Sequence, residues 1–239
     1  MSFISPRMIE VYRSDRDYLL SEYCNHKLID NVHVPALVID EIIQDILELD
    51  LVNEPLPPKQ LGETNYDLRL VRINDQFDCS DCPNADREGI ESFTKAHELG
   101  HWRIPNHETD VRAESAVGQM AFDILPEKTV ASIICRAPWD TARRSFTKKQ
   151  QRREIEADRY AKIFLVPEAE LMSTPEAIEL TSLIGSNHVS GNLIWRLVYK
   201  AAKRFHVSPT MMKNVLVDLS IISFVGGQIS ISNQKNIDS

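Results

Sequence analysis

The sequence has no apolar run long enough to cross a membrane, since no stretch approaches the roughly 20 apolar residues of a transmembrane helix. Its first residues, Met1 to Arg7, also lack the apolar core of a secretion signal. We therefore expect a cytoplasmic protein with no membrane partner.

Basic residues are in the minority, with 27 Lys and Arg against 35 Asp and Glu and a formal net charge of -8. Proteins that bind nucleic acids generally need a basic face that replaces counterions on the phosphates. The composition therefore disfavours a general nucleic-acid binder. It leaves room for a local basic patch and for basic partners.

Cysteine is also scarce. Of the four cysteines, Cys24 and Cys135 are isolated in sequence, whereas Cys79 and Cys82 form a Cys-x-x-Cys pair. In a reducing compartment we expect thiols. A structural zinc site needs about four ligands and only this one close pair is visible, so we interpret residues 74–89 as a polar loop that happens to hold two thiols.

The distribution of apolar residues predicts an α+β chain, mainly helical, with a small sheet. We expect a loop with Ser173-Thr174-Pro175 after a helix that stops at Pro167, and a final hairpin around Gly226-Gly227. Ser208-Pro209 supplies a cap and a first-turn proline for the last helix. The predicted helices cover about 35–47, 91–102, 113–125, 147–165, 193–205 and 209–219, with strands at about 66–73, 221–225 and 228–231.

One predicted helix carries His97-Glu98-Leu99-Gly100-His101. Residues four apart on an α-helix differ by about 400° of turn and about 6 Å of rise, so His97 and His101 leave the same face and can bind one metal ion. Glu98 lies about 100° away and can reach a water on that metal. This arrangement suits hydrolysis, in which the metal activates the water and the carboxylate moves its proton. Gly100, unfavourable inside a helix, indicates close approach by another backbone.

A catalytic zinc site needs a third protein ligand, and two residues compete for that role. His107 follows His101 at the metzincin spacing, but Ile104 occupies the position where that pattern has a glycine for a sharp turn. We therefore interpret His107 as a loop histidine.

Glu154 is the stronger candidate. Glu154 and Asp158 share a helix face, so one carboxylate can bind the metal while the other accepts the free ring N–H of a histidine ligand. Small Ala157 beside them allows a close approach to the histidine helix. Glu156 points about 200° away from Glu154, and we expect it to be solvated.

These segments resemble the ImmA/IrrE family of metallopeptidases over roughly residues 30 to 170. The resemblance rests on Phe93-Thr94-Lys95-Ala96-His97-Glu98-Leu99-Gly100-His101, on Glu154 to Ala161 and on Phe164-Leu165-Val166-Pro167. It continues more weakly into Ala201 to Pro209, which is similar to the helix-turn-helix-like region of that family.

The resemblance implies a zincin-like peptidase domain at 1–190 and a helix-turn-helix-like region with a short hairpin at 191–239. It implies His97, His101 and Glu154 as ligands of Zn²⁺ (or Mn²⁺ in vitro), and Glu98 as the general base. The implied substrate is a helix-turn-helix repressor, cleaved in a stress, DNA-damage or mobile-element switch. The long gap between the two metal helices implies an insertion at 103–146.

The alternative is a DNA-binding or protein-binding regulator without turnover, acting through residues 193–219. Met211 and Met212 suit an adaptable protein-binding surface better than the reading of base edges, so we expect that region to contact protein. Intact Glu98 favours an enzyme. The oxyanion stabiliser is not identified, and Tyr160 and the loop around His107 are the candidates.

Overall fold

The computed structural model describes residues 4–76, 87–120, 131–136, 146–184 and 189–232. These residues form an α+β protein, mainly helical, with one small four-stranded sheet and a hairpin, as predicted. The helices are α1 (Pro6–Lys27), α2 (Ile39–Glu41), α3 (Arg87–Arg103), α4 (His107–Met120), α5 (Lys148–Leu165), α6 (Glu168–Met172), α7 (Pro175–Ser182), α8 (Gly191–Arg204) and α9 (Pro209–Asp218). The strands are β1 (Asp50–Glu54), β2 (Gln60–Asn65), β3 (Leu70–Asn74), β4 (Ser132–Arg136), β5 (Ile222–Val225) and β6 (Gln228–Ile231).

No helix in the described part of the chain combines the length and the apolar character needed to cross a lipid bilayer.

Helices α3 and α5 pack closely against each other at the centre of the fold. Thr147 begins α5 with a capping box, because its side chain accepts from the Gln150 N–H while Gln150 reaches back to the Thr147 N–H. A Cβ atom on Gly100 would lie 3.2 Å from Tyr160 and 3.3 Å from the Cα of Ala157. The close backbone approach predicted from Gly100 and Ala157 is therefore confirmed.

The four-stranded sheet has the order β1-β3-β2-β4, so β4 is an outer strand. β1 runs parallel to β3, whereas β2 is antiparallel to both β3 and β4. In the β2–β4 pair, Gly62 faces Cys135 and Thr64 faces Ile133. Paired residues project to the same face of a sheet, and Gly62 and Thr64 both contact α3 on that face. The sheet therefore covers one side of the histidine helix.

The predicted strand at 66–73 is only partly correct, because residues 66–69 form a turn and the strand occupies Leu70–Asn74. Tyr66 is buried and donates its hydroxyl to the carbonyl oxygen of His101 at 2.8 Å, which holds this turn against α3. Arg69 adopts a φ of 50°, a left-handed conformation that ends the turn.

Helix α1 was not anticipated from the sequence. Ser5 caps it by accepting from the Met8 N–H, and Pro6 occupies its first turn. Its face with Tyr12 is buried, and the Tyr12 ring meets that of Tyr160 on α5 at 5.6 Å. The predicted helix at 35–47 is irregular, with a 3-10 turn at Pro35–Leu37, α2, and a π-helical turn at Ile42–Ile46.

The loop predicted after Pro167 is wrong, because α6 and α7 occupy most of it. Thr174 caps α7 by accepting from the Ala177 N–H, and Pro175 stands at the first helical position. Thr174-Pro175 is thus the same cap-and-proline signal as Ser208-Pro209. Ala177 and Leu180 are fully buried, which supplies the packing that a helix this short requires.

The predicted helices and hairpin after residue 190 are confirmed as α8, α9, β5 and β6, and Gly226 and Gly227 both have positive φ in the turn. The interpretation of the two methionines is wrong. Met211 is 4% and Met212 0% exposed, because the first turn of α9 packs into the core.

Buried side chains on both sides of residue 190, such as Leu99 and Leu197, belong to one hydrophobic cluster. A Cβ atom on Gly89 would lie 2.3 Å from the backbone nitrogen of Ser208, so the start of α3 rests directly on the α8–α9 connection. The histidine helix is therefore anchored at this end by the C-terminal helices.

Candidate metal centre

Three predicted ligands converge between α3 and α5. The Nε2 atoms of His97 and His101 lie 3.0 Å apart, and the Glu154 carboxylate oxygens lie 3.6 Å from His97 Nε2 and 3.4 Å from His101 Nε2. Donor atoms around one tetrahedral divalent ion are roughly 3.3–3.5 Å apart, given ligand distances of about 2.0–2.2 Å. The observed separations of 3.0–3.6 Å are close to that spacing, so this group could hold a metal ion.

All three donors are almost inaccessible to solvent, with 1% exposure for His97, 0% for His101 and 5% for Glu154. Burial lowers the pKa of His101 to about 4, which keeps its imidazole in the neutral form that binds metals. Burial alone would raise the pKa of Glu154, but the contacts with His101 and His97 hold it well below its usual value. The carboxylate is therefore ionised, as a ligand must be.

Asp158 takes the supporting position predicted for it. Its Oδ1 lies 2.8 Å from Nδ1 of His97, which is the ring nitrogen that faces away from the cluster. A carboxylate at this nitrogen holds the proton on Nδ1 and leaves Nε2 free as a ligand. Asp158 and Glu154, one turn apart on α5, thus contact opposite nitrogens of the same imidazole.

His107 does not lie at the three-ligand cluster, although it is only 1% exposed. Its Nδ1 is 3.0 Å from Nδ1 of His101, and its Nε2 is 3.1 Å from a carboxylate oxygen of Glu156. His107 therefore stands behind His101 as Asp158 stands behind His97. The expectation of a loop histidine is wrong, because His107 begins α4 and is enclosed between α3 and α5.

The expectation that Glu156 is solvated is also wrong, since it is 8% exposed. It accepts from His107 and from Arg152, and burial, which would raise its pKa, is outweighed by these two contacts. Helical periodicity correctly predicted that Glu156 points away from Glu154. A second packed neighbour, α4, occupies the direction in which we expected solvent.

Glu98 is completely buried next to the histidines. Its Oε2 accepts from the Thr64 hydroxyl at 2.6 Å, whereas its Oε1 has no hydrogen-bond partner among the described residues. A Cβ atom on Gly62 would lie only 2.7 Å from that Oε1. Burial raises the pKa of Glu98 to about 8. One oxygen is thus held by β2, and the other is free to act on a molecule in the site.

Cys135 is a member of the site that sequence reasoning missed. It lies on β4 opposite Gly62, is 4% exposed, and its sulfur is within 4.8 Å of donor atoms of His97 and Glu98. Burial raises the pKa of its thiol to about 11. An isolated cysteine has no local pattern that signals such a position, since strand pairing alone brings it here.

The predicted insertion at 103–146 is partly described and is integral to the site, because α4 supplies His107 and β4 supplies Cys135. Cys79 and Cys82 lie outside the described residues. Tyr160, one candidate oxyanion stabiliser, donates its hydroxyl to Asp15 at 2.6 Å and is thereby engaged.

No protein-family model and no curated protein matches this chain.

Proposed function

We propose that this chain is a zinc-dependent endopeptidase of the ImmA/IrrE type, with a zincin-like catalytic part and a helix-turn-helix-like C-terminal region. The observation that carries the proposal is the meeting of His97, His101 and Glu154 at tetrahedral spacings beside a buried, half-satisfied Glu98. Two imidazoles, which bind a metal in their neutral form, and one carboxylate form a donor set used by hydrolytic zinc sites.

A bound zinc ion would lower the pKa of a water molecule and polarise the scissile carbonyl of a peptide. With the ion bound, Glu98 would accept the proton of that water at Oε1, the oxygen without a partner in the described part of the chain. It would then deliver the proton to the leaving amine. The short hydrogen bond from Thr64 to Oε2 prevents the carboxylate from rotating away during these steps.

Hydrogen-bond partners behind His97 and His101 restrict each of these two imidazole rings to one orientation. Asp158 fixes the ring of His97, while Glu156 acts on His101 through His107. Such partners raise the basicity of the ligand nitrogen and hold the ring in place. These contacts are present in the chain itself, so the site is preorganised by α4 and α5.

We further propose that an extended segment of the substrate binds along β4. Among the described residues this strand is an outer strand of the sheet, next to Glu98 through the Gly62–Cys135 pair. An exposed strand edge can accept a peptide as an additional strand through backbone hydrogen bonds. The proposed substrate is a helix-turn-helix repressor in a cytoplasmic stress or DNA-damage switch.

A regulator that binds DNA without turnover is the second candidate. Residues 191–232 contain five Lys or Arg and one Asp, although the whole chain is acidic. Exposed Arg196, Lys200 and Lys203 follow one another along one face of α8 and could contact phosphates. DNA binding would give no role to the buried group of potential metal ligands, so we favour the peptidase.

The test is incubation of the zinc- or manganese-loaded protein with a helix-turn-helix repressor encoded next to it, followed by mass spectrometry of the products. The control is Glu98→Gln, which is nearly isosteric, keeps the Thr64 contact within reach and cannot accept the proton. We expect this variant to bind the ion as the wild type does and to cleave roughly 10²- to 10⁴-fold more slowly. Full cleavage by Glu98→Gln, or loss of the ion from it, would contradict the assigned role.

A further inference from the structure

We propose that Cys135 is a fourth protein ligand of the metal ion, so that the resting site is closed by a thiolate on the strand where the substrate would bind. The inference rests on the proposed metal site and adds a residue to it. The sites of hydrolytic zinc enzymes usually hold three protein ligands and leave one position open. Closure by a cysteine would make this chain latent until β4 or its thiol is displaced.

The first support is position. The Cys135 sulfur, an imidazole nitrogen of His97 and a carboxylate oxygen of Glu98 all lie within 4.8 Å of one another. Sulfur and nitrogen ligands on one tetrahedral zinc ion are roughly 3.5 Å apart, given bonds of about 2.3 and 2.0 Å. The thiol therefore needs to approach His97 by no more than about 1.3 Å to share an ion with it.

The second support is the free oxygen of Glu98. Oε1 is completely buried and has no hydrogen-bond partner among the described residues, a costly state that indicates a missing donor such as a water molecule. The sulfur of Cys135 lies within 4.8 Å of a carboxylate oxygen of Glu98. A thiolate ligand there takes the volume that the water molecule requires for hydrolysis.

The third support is the sheet. Cys135 pairs with Gly62, and the missing side chain of Gly62 leaves room for the Glu98 carboxylate. The direction of the Cys135 side chain is set by backbone pairing and does not depend on a flexible loop. On binding, the thiol loses its proton to solvent and the sulfur replaces water, with no oxidation or reduction.

The experiment is cobalt substitution, read by absorption. Cobalt(II) bound by a thiolate shows a strong sulfur-to-cobalt charge-transfer band in the near ultraviolet, whereas cobalt bound only by nitrogen and oxygen does not. We expect the band in the wild-type protein at one ion per chain. We expect Cys135→Ser to keep the ion and lose the band.

A triple variant, Cys24→Ser with Cys79→Ser and Cys82→Ser, is the matched control, because it leaves Cys135 as the one cysteine of the 239 residues. Retention of the band in this variant assigns the sulfur even if Cys135→Ser fails to fold. Zinc X-ray absorption should then show one sulfur at about 2.3 Å.

The outcomes separate the two proposals. If the wild type binds one ion without a sulfur ligand, or if the band persists in Cys135→Ser, the Cys135 inference is overturned and the proposed peptidase site remains. If the wild type binds no ion, both proposals fail. If the band disappears only with Cys135, the resting site is closed as inferred.

Discussion

Gly62 leaves the space that the Glu98 carboxylate occupies, and its replacement by alanine perturbs the proposed base without touching a proposed ligand. The new methyl group would lie 2.7 Å from Glu98 Oε1, 2.9 Å from Cγ2 of Thr94 and 3.1 Å from the carbonyl oxygen of Arg72. All three separations are too short for ordinary contact. Either the strand or the carboxylate must move.

The carboxylate cannot move freely, because Glu98 is fully buried and its other oxygen is held by Thr64 at 2.6 Å. Overpacking of a filled interior costs roughly 1–3 kcal/mol. For a chain of this size that corresponds to a melting temperature lower by roughly 2–12 °C. Displacement of Glu98 should also reduce cleavage by up to roughly 10²- to 10⁴-fold.

The assays are thermal unfolding, metal content and the rate of repressor cleavage in the same preparation of Gly62→Ala. The control is Gly191→Ala, where the added atom meets nothing closer than Ile229 at 3.5 Å and stability should change by no more than about 0.5 kcal/mol. We expect Gly62→Ala to keep the metal ion. Wild-type melting and wild-type cleavage in this variant would refute the assigned packing between β2 and Glu98.

Further expectations concern the third ligand, a helix cap and the C-terminal helices. Glu154→Ala should lose the ion, whereas His107→Ala should keep it with roughly 10- to 100-fold weaker affinity, because His107 only supports His101. Titration calorimetry with zinc measures both affinities. Loss of the ion from the His107 variant alone would show that the assignment of the third ligand is wrong. Thr147→Ala should lower the free energy of unfolding by about 1 kcal/mol, because α5 loses its N-cap. Denaturant-induced unfolding measures this change. An unchanged midpoint would show that the cap does not stabilise the protein. The protein should show no specific binding of operator DNA through residues 191–232 in a gel shift at physiological salt. A Kd of about 10 nM for a defined DNA site would contradict this.

Local patterns predicted the elements that carry the site. Helical periodicity placed His97 with His101 and Glu154 with Asp158, and both pairs lie on one face each as expected. The spacing worked because four residues on an α-helix always return to nearly the same direction. Sequence reasoning failed for His107, since a histidine outside a strong periodic pattern gives no sign of what will enclose it.

The sequence by itself determined which side chains share a helix face, because this depends only on the backbone hydrogen bonding of the segment that carries them. The tertiary structure alone decided how far α3 stands from α5, and therefore whether Glu154 meets the histidines at ligand distance. It also decided the contacts of Glu98 with Thr64 and Gly62, and the place of Cys135, since these come from strand pairing across long sequence separations. Such contacts depend on packing between distant segments, and no periodicity within one segment encodes them.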